Sequence, residues 1–374
     1  MQPLFREFAR LFPNTLIFTS EWPGFMAGYE GKFEVRVLPG FRRVTLKQSA
    51  AGADIGFNWA PPSVLWKLFK FRPDVLFAEA FSVWTLYGLL YKVITRSRII
   101  LLWDGVSEGT AYMNSRLRLA IRRLMARFVD AAVCNSDEGT KYLRDVIAIP
   151  ESKLLHRAFY VPEPAALFSG EEGPSASRTD SRPVFLFVGQ IIKRKGWNYL
   201  LEAARRLVQK GLDAFSVAVV GDGEQRDQLE ARICSLGLQR IVDVVGPVPY
   251  QRMGPHFEAA DVFVLPTLED TWGMVASEAM AFGKPVLCSK YAGARELVQY
   301  GVNGFVFDPY NVDELADCME RFIREPGLIA KFGQRSREII APHTPEQAAK
   351  ALATLVHSVH TGPPSGARDC HAQP

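Results

Sequence analysis

From residue 183 onward, short β-rich apolar runs alternate with stretches of helical periodicity. The apolar runs are VFLFVG (184–189), FSVAVVG (215–221), VDVVG (242–246), VFVLP (262–266) and PVLCS (285–289). Between them lie amphipathic segments such as WNYLLEAARRLVQKG and EQRDQLEARICSLG. A strand that is apolar on both sides has no face for water, so it belongs in a parallel sheet covered by helices on both faces. This predicts a doubly wound, Rossmann-like domain over 183–343.

The first half repeats the alternation less cleanly, with a helical start and strands expected at TLIFTS (15–20), PDVLFAE (73–79), RIILLW (98–103) and DAAVCNS (130–136). A chain of 374 residues exceeds one ordinary core. The expected organisation is an α/β domain over 1–165, a linker ALFSGEEGPSASRTDSR at 166–182, and the second α/β domain. A final helix at 344–360 follows, with Thr344 as N-cap, Pro345 at its first position and Gln347 as capping partner. It carries Ala348, Leu352, Leu355 and Val359 as an apolar stripe, and the tail TGPPSGARDCHAQP (361–374) is expected to be disordered. In 113–129, Leu117, Ile121, Leu124 and Phe128 share one face flanked by arginines, which reads as an ordinary core-facing stripe.

Several function classes are excluded at this level. The longest membrane-like run, AFSVWTLYGLLY (80–91), stops at Lys92, and the start MQPLFREFAR shows no secretory leader, so a cytoplasmic protein is expected. Five scattered cysteines without a CxxC pair, and histidines without HExxH, argue against disulfides and a bound metal. The first 165 residues carry 22 Lys and Arg against 15 Asp and Glu, and the rest carry 22 against 25. The front is therefore basic (+7) and the back slightly acidic (−3), which invites an anionic partner: a membrane surface, a nucleic acid or a phosphorylated substrate.

Chemistry concentrates in three strand-to-helix loops. In PTLEDTWGMVASEAMAFGKPV (266–286) a strand ends, an acidic loop follows and a helix begins near Gly273, offering free N–H groups to phosphate. Asp270 and Glu278 sit eight positions apart and are candidates to face one ligand; taken alone they read as a helix cap and a surface carboxylate. In FLFVGQIIKRKGW (185–197) the loop holds Lys193, Arg194 and Lys195, suited to a diphosphate. In VVGDGEQRDQL (219–229) Gly221 and Gly223 follow a strand, but Arg226 occupies the third glycine position of a dinucleotide fingerprint. FGKP (282–285) is no phosphate loop, and no GxSxG elbow occurs.

Five motifs in order, VGQIIKRKG, VVGDGEQRDQLE, AADVFVLPTLEDTWGMVASEAMAFGKPVLCS, AGARELV and GVNGFVFDP, make residues 183–340 resemble the nucleotide-sugar domain of the retaining GT-B glycosyltransferases of group 1, or family 4. RPDVL (72–76), FVDAAVCNSDEGTKYL (128–143) and VPEP (161–164) extend the resemblance more loosely. It implies two Rossmann-like domains facing a cleft, with the last helix crossing back to the first. It also implies transfer of a sugar from a nucleoside-diphosphate sugar to a hydroxyl of a saccharide or lipid-linked acceptor, with retained configuration, no cofactor, no metal and no nucleic acid. By position, Lys195 matches the phosphate-binding lysine, and Thr271, Trp272, Gly273 and Met274 match the segment that meets sugar and diphosphate. Glu278 matches the ribose-binding carboxylate, Asp270 the acidic residue facing the transferred sugar, and Gly246 to Val248 the base-reading region; Gly189 and Gly221 complete the donor-binding set.

The chain departs from that pattern in four places. Gln190 stands where a phosphate-binding arginine is usual, a gap that Lys193 or Arg194 is expected to fill. Asp270 replaces a glutamate. Trp103, Asp104 and Gly105 lie where many members have a histidine before glycine, making Asp104 the candidate sugar contact. The chain opens directly in the helix PLFREFARLF, where relatives have a strand and a glycine-containing loop. That reflects either a late start or a lost loop, and a true loss would leave the first sheet without a central strand. These departures admit a second reading, a catalytically silent GT-B subunit. A third, an NAD-dependent oxidoreductase, accounts for Gly221 and Gly223 but not for 266–286. Trp22, Trp59, Trp66, Trp84 and Trp103 lie near basic clusters such as KLFKFR (67–72). Related enzymes often dock this half on the membrane, so peripheral contact with the anionic inner face of the cell membrane is a further expectation.

Overall fold

A computed structural model describes residues 1–48, 54–157, 159, 161–168 and 182–361. The first half opens with α1 (Gln2–Leu11), then β1 (Leu16–Thr19) and β2 (Glu34–Val37), which pair in parallel. An antiparallel hairpin follows, β3 (Arg42–Gln48) with β4 (Asp54–Trp59). Then come α2 (Ser63–Phe71), β5 (Val75–Glu79), α3 (Val83–Thr95), β6 (Arg98–Trp103), α4 (Glu108–Ala111), α5 (Arg116–Ala126), β7 (Ala131–Cys134), α6 (Asp137–Lys141) and β8 (Leu154–His156). Strands β5 to β8 form one parallel sheet in chain order. Among the described residues no hydrogen-bonded ladder joins β1 to β5. Helix α1 spans the two pieces instead: Phe5 meets Phe33 at 5.7 Å and Phe8 meets Phe77 of β5 at 5.3 Å, both edge to face.

The second half contains β9 (Val184–Val188), α7 (Trp197–Gln209), β10 (Ser216–Val220), α8 (Arg226–Leu236), β11 (Val242–Gly246), α9 (Gly254–Ala259), β12 (Val262–Leu265), α10 (Met274–Ala281), β13 (Val286–Ser289), β14 (Gly304–Phe307), α11 (Val312–Arg324), α12 (Gly327–Ile340) and α13 (Pro345–Thr361). The six strands form one sheet in the order β11-β10-β9-β12-β13-β14, every pair parallel. Strands β12 and β13 are buried along their whole length, as two-faced apolar strands must be. The order reverses between β9 and β12, which places the crevice for a ligand at their carboxyl ends.

Helix α13 begins as its sequence dictates, with the Gln347 amide donating to Thr344 Oγ1 over 3.2 Å. Ala348 and Leu352 are buried, and the helix packs back on α1, where Phe12 lies 5.6 Å from His357. Of the expected linker, Ala166 and Leu167 are buried in hydrophobic clusters and Phe168 packs against Phe282 at 5.8 Å. Residues 169–181 and 362–374, the rest of the expected linker and tail, lie outside the described residues.

Helix α5 overturns the core-facing reading of its stripe. Leu117, Ile121, Leu124 and Phe128 are 72%, 49%, 55% and 47% exposed, whereas Arg122, Met125 and Ala126 face inward. Arg122 is tolerated inside because its guanidinium donates to the Thr110 carbonyl and to Tyr142 Oη, each over 2.7 Å. It also lies 4.6 Å from the Tyr112 ring and 5.2 Å from that of Trp103. The tryptophans likewise divide: Trp103 is in the core, while Trp59 and Trp66 project outward.

Candidate functional site

The crevice is built first from backbone. At the ends of β9, β10 and β11, the Gly189 amide donates to the Val220 carbonyl (3.0 Å) and the Gly221 amide to that of Gly246 (2.8 Å). Gly221 has φ +140°, and a Cβ there would stand 1.9 Å from the Gly189 carbonyl oxygen. A Cβ on Gly223 would stand 2.5 Å from the Ile191 carbonyl oxygen. Close packing of two loops therefore accounts for both glycines without a dinucleotide. Gln190 is exposed on the first loop, and Val248 is half-buried against the core.

Two charged loops meet across β9 and β12. Arg194 is clamped at both ends: its carbonyl accepts from the Leu268 amide (2.8 Å) and Thr267 Oγ1 (3.0 Å), and its Nη1 donates to the Glu269 carbonyl (2.8 Å). Lys195 Nζ donates to Asp270 Oδ2 over 2.6 Å, and Arg194 Nη1 lies 3.9 Å from the same oxygen. The Asp270 amide donates to the Tyr291 carbonyl, and its own carbonyl accepts from the Gly293 amide, so the carboxylate stands on a doubly braced backbone. Gly273 (φ +93°) then turns the chain into α10. Trp272 is buried, its indole N–H without a partner among the described residues, and Thr271, Gly273 and Met274 are half-buried at the helix start.

The structure gives Asp270 and Glu278 different partners. Glu278 is no surface carboxylate: it is 3% exposed and accepts from Tyr250 Oη over 2.9 Å. Burial pushes its carboxyl up to about 7, while the Tyr250 hydrogen bond and the Met1 ammonium hold it lower than burial alone would. Burial pushes the Met1 amine down, and the Glu278 charge opposes that shift.

The first domain closes over this site. Glu269, buried beside Asp270, accepts from Ser107 Oγ (2.7 Å) and the Gly109 amide (2.6 Å) at the start of α4. Glu296 accepts from the amides of Asp137 (2.8 Å) and Glu138 (3.2 Å) at the start of α6, and Arg295 pairs with Glu138. The residue after Asp104 lies against the site: a Cβ on Gly105 (φ +152°) would stand 2.2 Å from the Thr271 carbonyl oxygen. Sequence reasoning missed Glu269 and Glu296 because their partners lie about 160 positions away. Among the described residues no group of three His, Cys, Asp or Glu is placed to hold a metal, and no helix is long and apolar enough to cross a membrane.

A first α/β unit on a parallel sheet in chain order, a second that is doubly wound, and a last helix returning to the first unit give the GT-B fold of the solved structures it superposes on. Residues 171–339 match the family described as glycosyl transferases group 1. The chain is 31% identical over 162 residues to an alpha-D-kanosaminyltransferase of Streptomyces kanamyceticus, covering 43% of this chain and 42% of that one. It is 27% identical over 231 residues to a D-inositol 3-phosphate glycosyltransferase of Nocardiopsis dassonvillei, covering 57% and 52%. The match thus spans about half the length of these relatives. The HepE protein of Anabaena, solved in complex with UDP, superposes with a TM-score of 0.73 at 19% identity over 96% of both chains. A sucrose-phosphate synthase of Thermosynechococcus elongatus gives 0.74 at 17% identity over 95% and 91%.

Proposed function

We propose that this chain is a retaining glycosyltransferase that moves a sugar from a nucleoside-diphosphate sugar to a hydroxyl acceptor in polysaccharide or glycolipid assembly, without a metal. The observation that carries the reading is the Lys195–Asp270 pair at the switch point, beside Arg194 and the first turn of α10. When the bond to the sugar breaks, negative charge grows on the departing diphosphate. Fixed cations and free helix N–H groups stabilise that charge without reorganising. Lys195 and Arg194 take the first role and the amides after Gly273 the second. Asp270 orients Lys195 and faces the sugar, Asp104 contacts it from the other domain, and Glu278 holds ribose hydroxyls. Gly189, Gly221 and Gly246 supply the flat backbone floor, and Val248 borders the base.

The exposed stripe of α5 supports an acceptor held at an anionic membrane. Val93 and Ile94 of α3 are likewise exposed, and Lys92 between the two surfaces donates to the Phe128 carbonyl over 2.7 Å, so the apolar patches adjoin. Arg116, Arg118, Arg123 and Arg127 border them. Apolar insertion flanked by arginines matches a lipid interface, where each cation contributes about 1 kcal/mol.

The test is a melting series with UDP, GDP, ADP, dTDP, CMP and NAD, followed by turnover of the matching nucleotide sugar with and without EDTA. One diphosphate is expected to raise the melting temperature, and its sugar to be transferred in EDTA. Stabilisation without transfer would favour a silent binding subunit, and stabilisation by NAD alone would overturn the reading.

A further inference from the structure

We propose that Glu269 is a positioning residue that couples closure of the cleft to the assembly of the transfer site, an inference that rests on the glycosyl-transfer reading above. A carboxylate that is 5% exposed is costly unless its oxygens are satisfied, and Oε1 of Glu269 is satisfied by two donors from the other domain, Ser107 Oγ and the Gly109 amide. The same residue grips the cationic loop from behind, because its carbonyl accepts from Arg194 Nη1 at 2.8 Å. It therefore touches both the loop that carries Lys195 and the loop that carries Asp104.

Glu296 repeats the arrangement one strand over, taking the Asp137 and Glu138 amides. Loops after the neighbouring strands β12 and β13 thus engage loops after the neighbouring strands β6 and β7. Two separated carboxylate contacts limit the domains to rotation about the line joining them, where one would leave a pivot in every direction. In the closed arrangement the Gly105 backbone lies against Thr271, too tightly for a side chain at position 105, so the loop that carries Asp104 packs on the donor loop.

Position 109 offers an approach that leaves Glu269 itself intact. A Cβ on Gly109 would stand 2.5 Å from Glu269 Oε1, so Gly109→Ala displaces the carboxylate while suiting the helix it sits in. Glu269→Ala and Gly109→Ala are expected to lower kcat by about ten-fold or more, with donor KM and nucleotide affinity within about two-fold of wild type. Glu269→Gln keeps an oxygen acceptor and is expected to restore most of kcat. Small-angle scattering of the full chain with the stabilising nucleotide should show a larger radius of gyration for the two alanine variants and an unchanged one for the glutamine variant. Wild-type kcat and wild-type scattering in both alanine variants would overturn the proposal, as would a loss of nucleotide affinity in step with kcat. If the wild-type chain transfers no sugar, that result bears on the transfer reading alone, and unchanged scattering of the alanine variants still overturns the closing role.

Discussion

Lys195 and Asp270 join the loop after β9 to the loop after β12 through a 2.6 Å ion pair, with both side chains largely shielded from water. A lysine so tethered presents its charge at a fixed point, which is what a diphosphate leaving group requires. Lys195→Ala is expected to lower turnover by about a hundred-fold while weakening donor binding much less. Steady-state kinetics with the accepted nucleotide sugar measures this; an undiminished kcat would move the role to Lys193 or Arg194.

Glu278 makes stability depend on pH in a definite direction. Its folded value of about 7 lies above the ordinary 4.5, so the folded chain binds that proton more tightly than the unfolded chain does. The stabilisation is complete below about pH 4.5 and is lost as the pH rises through about 7, by roughly 3 kcal/mol in all. Denaturant midpoints at pH 5 and pH 8 should therefore converge in Glu278→Gln relative to wild type. Persistence of the full slope in that variant would assign it to another group.

On α5 the polar residue outweighs the apolar ones. Arg122→Ala removes two hydrogen bonds and strips a cation from the Trp103 and Tyr112 rings, at an expected cost of about 2–4 kcal/mol. Leu117→Ala, on the exposed side of the same helix, should stay within about 0.5 kcal/mol. Urea titrations of the two variants give the comparison, and equal losses would contradict the orientation of the helix.

The outward stripe also predicts lipid dependence. Leu117→Glu combined with Leu124→Glu should reduce cosedimentation with vesicles rich in phosphatidylglycerol by about ten-fold or more, with no drop in melting temperature. Binding should weaken in wild type as salt rises. Undiminished binding by the double variant would remove this face from the interface.

Legibility in the sequence followed burial. Strands β12 and β13 stood out because two-faced burial leaves little room for polar residues, whereas β3, RRVTLKQ, is charged enough to pass for a loop. The stripe on α5 was visible but its direction was not. Periodicity reports that a face is apolar, and the inward pull of Arg122 depends on Thr110, Trp103 and Tyr142, which only the folded chain assembles. The same holds at the site: Asp270 and Lys195 were singled out by their loops, while Glu269, adjacent to Asp270, acquires meaning only from Ser107 and Gly109.

Phe282 sits where the chain twice passes between domains. Its ring lies 5.8 Å from Phe168 on the outward crossing, and its carbonyl accepts from Arg337 Nη2 at 3.2 Å in α12, just before α13 begins the return. Two covalent crossings beside one anchor leave rotation as the easy relative movement and make sliding expensive. The contacts of Ser107 with Glu269 and of Asp137 with Glu296 then decide where that rotation stops.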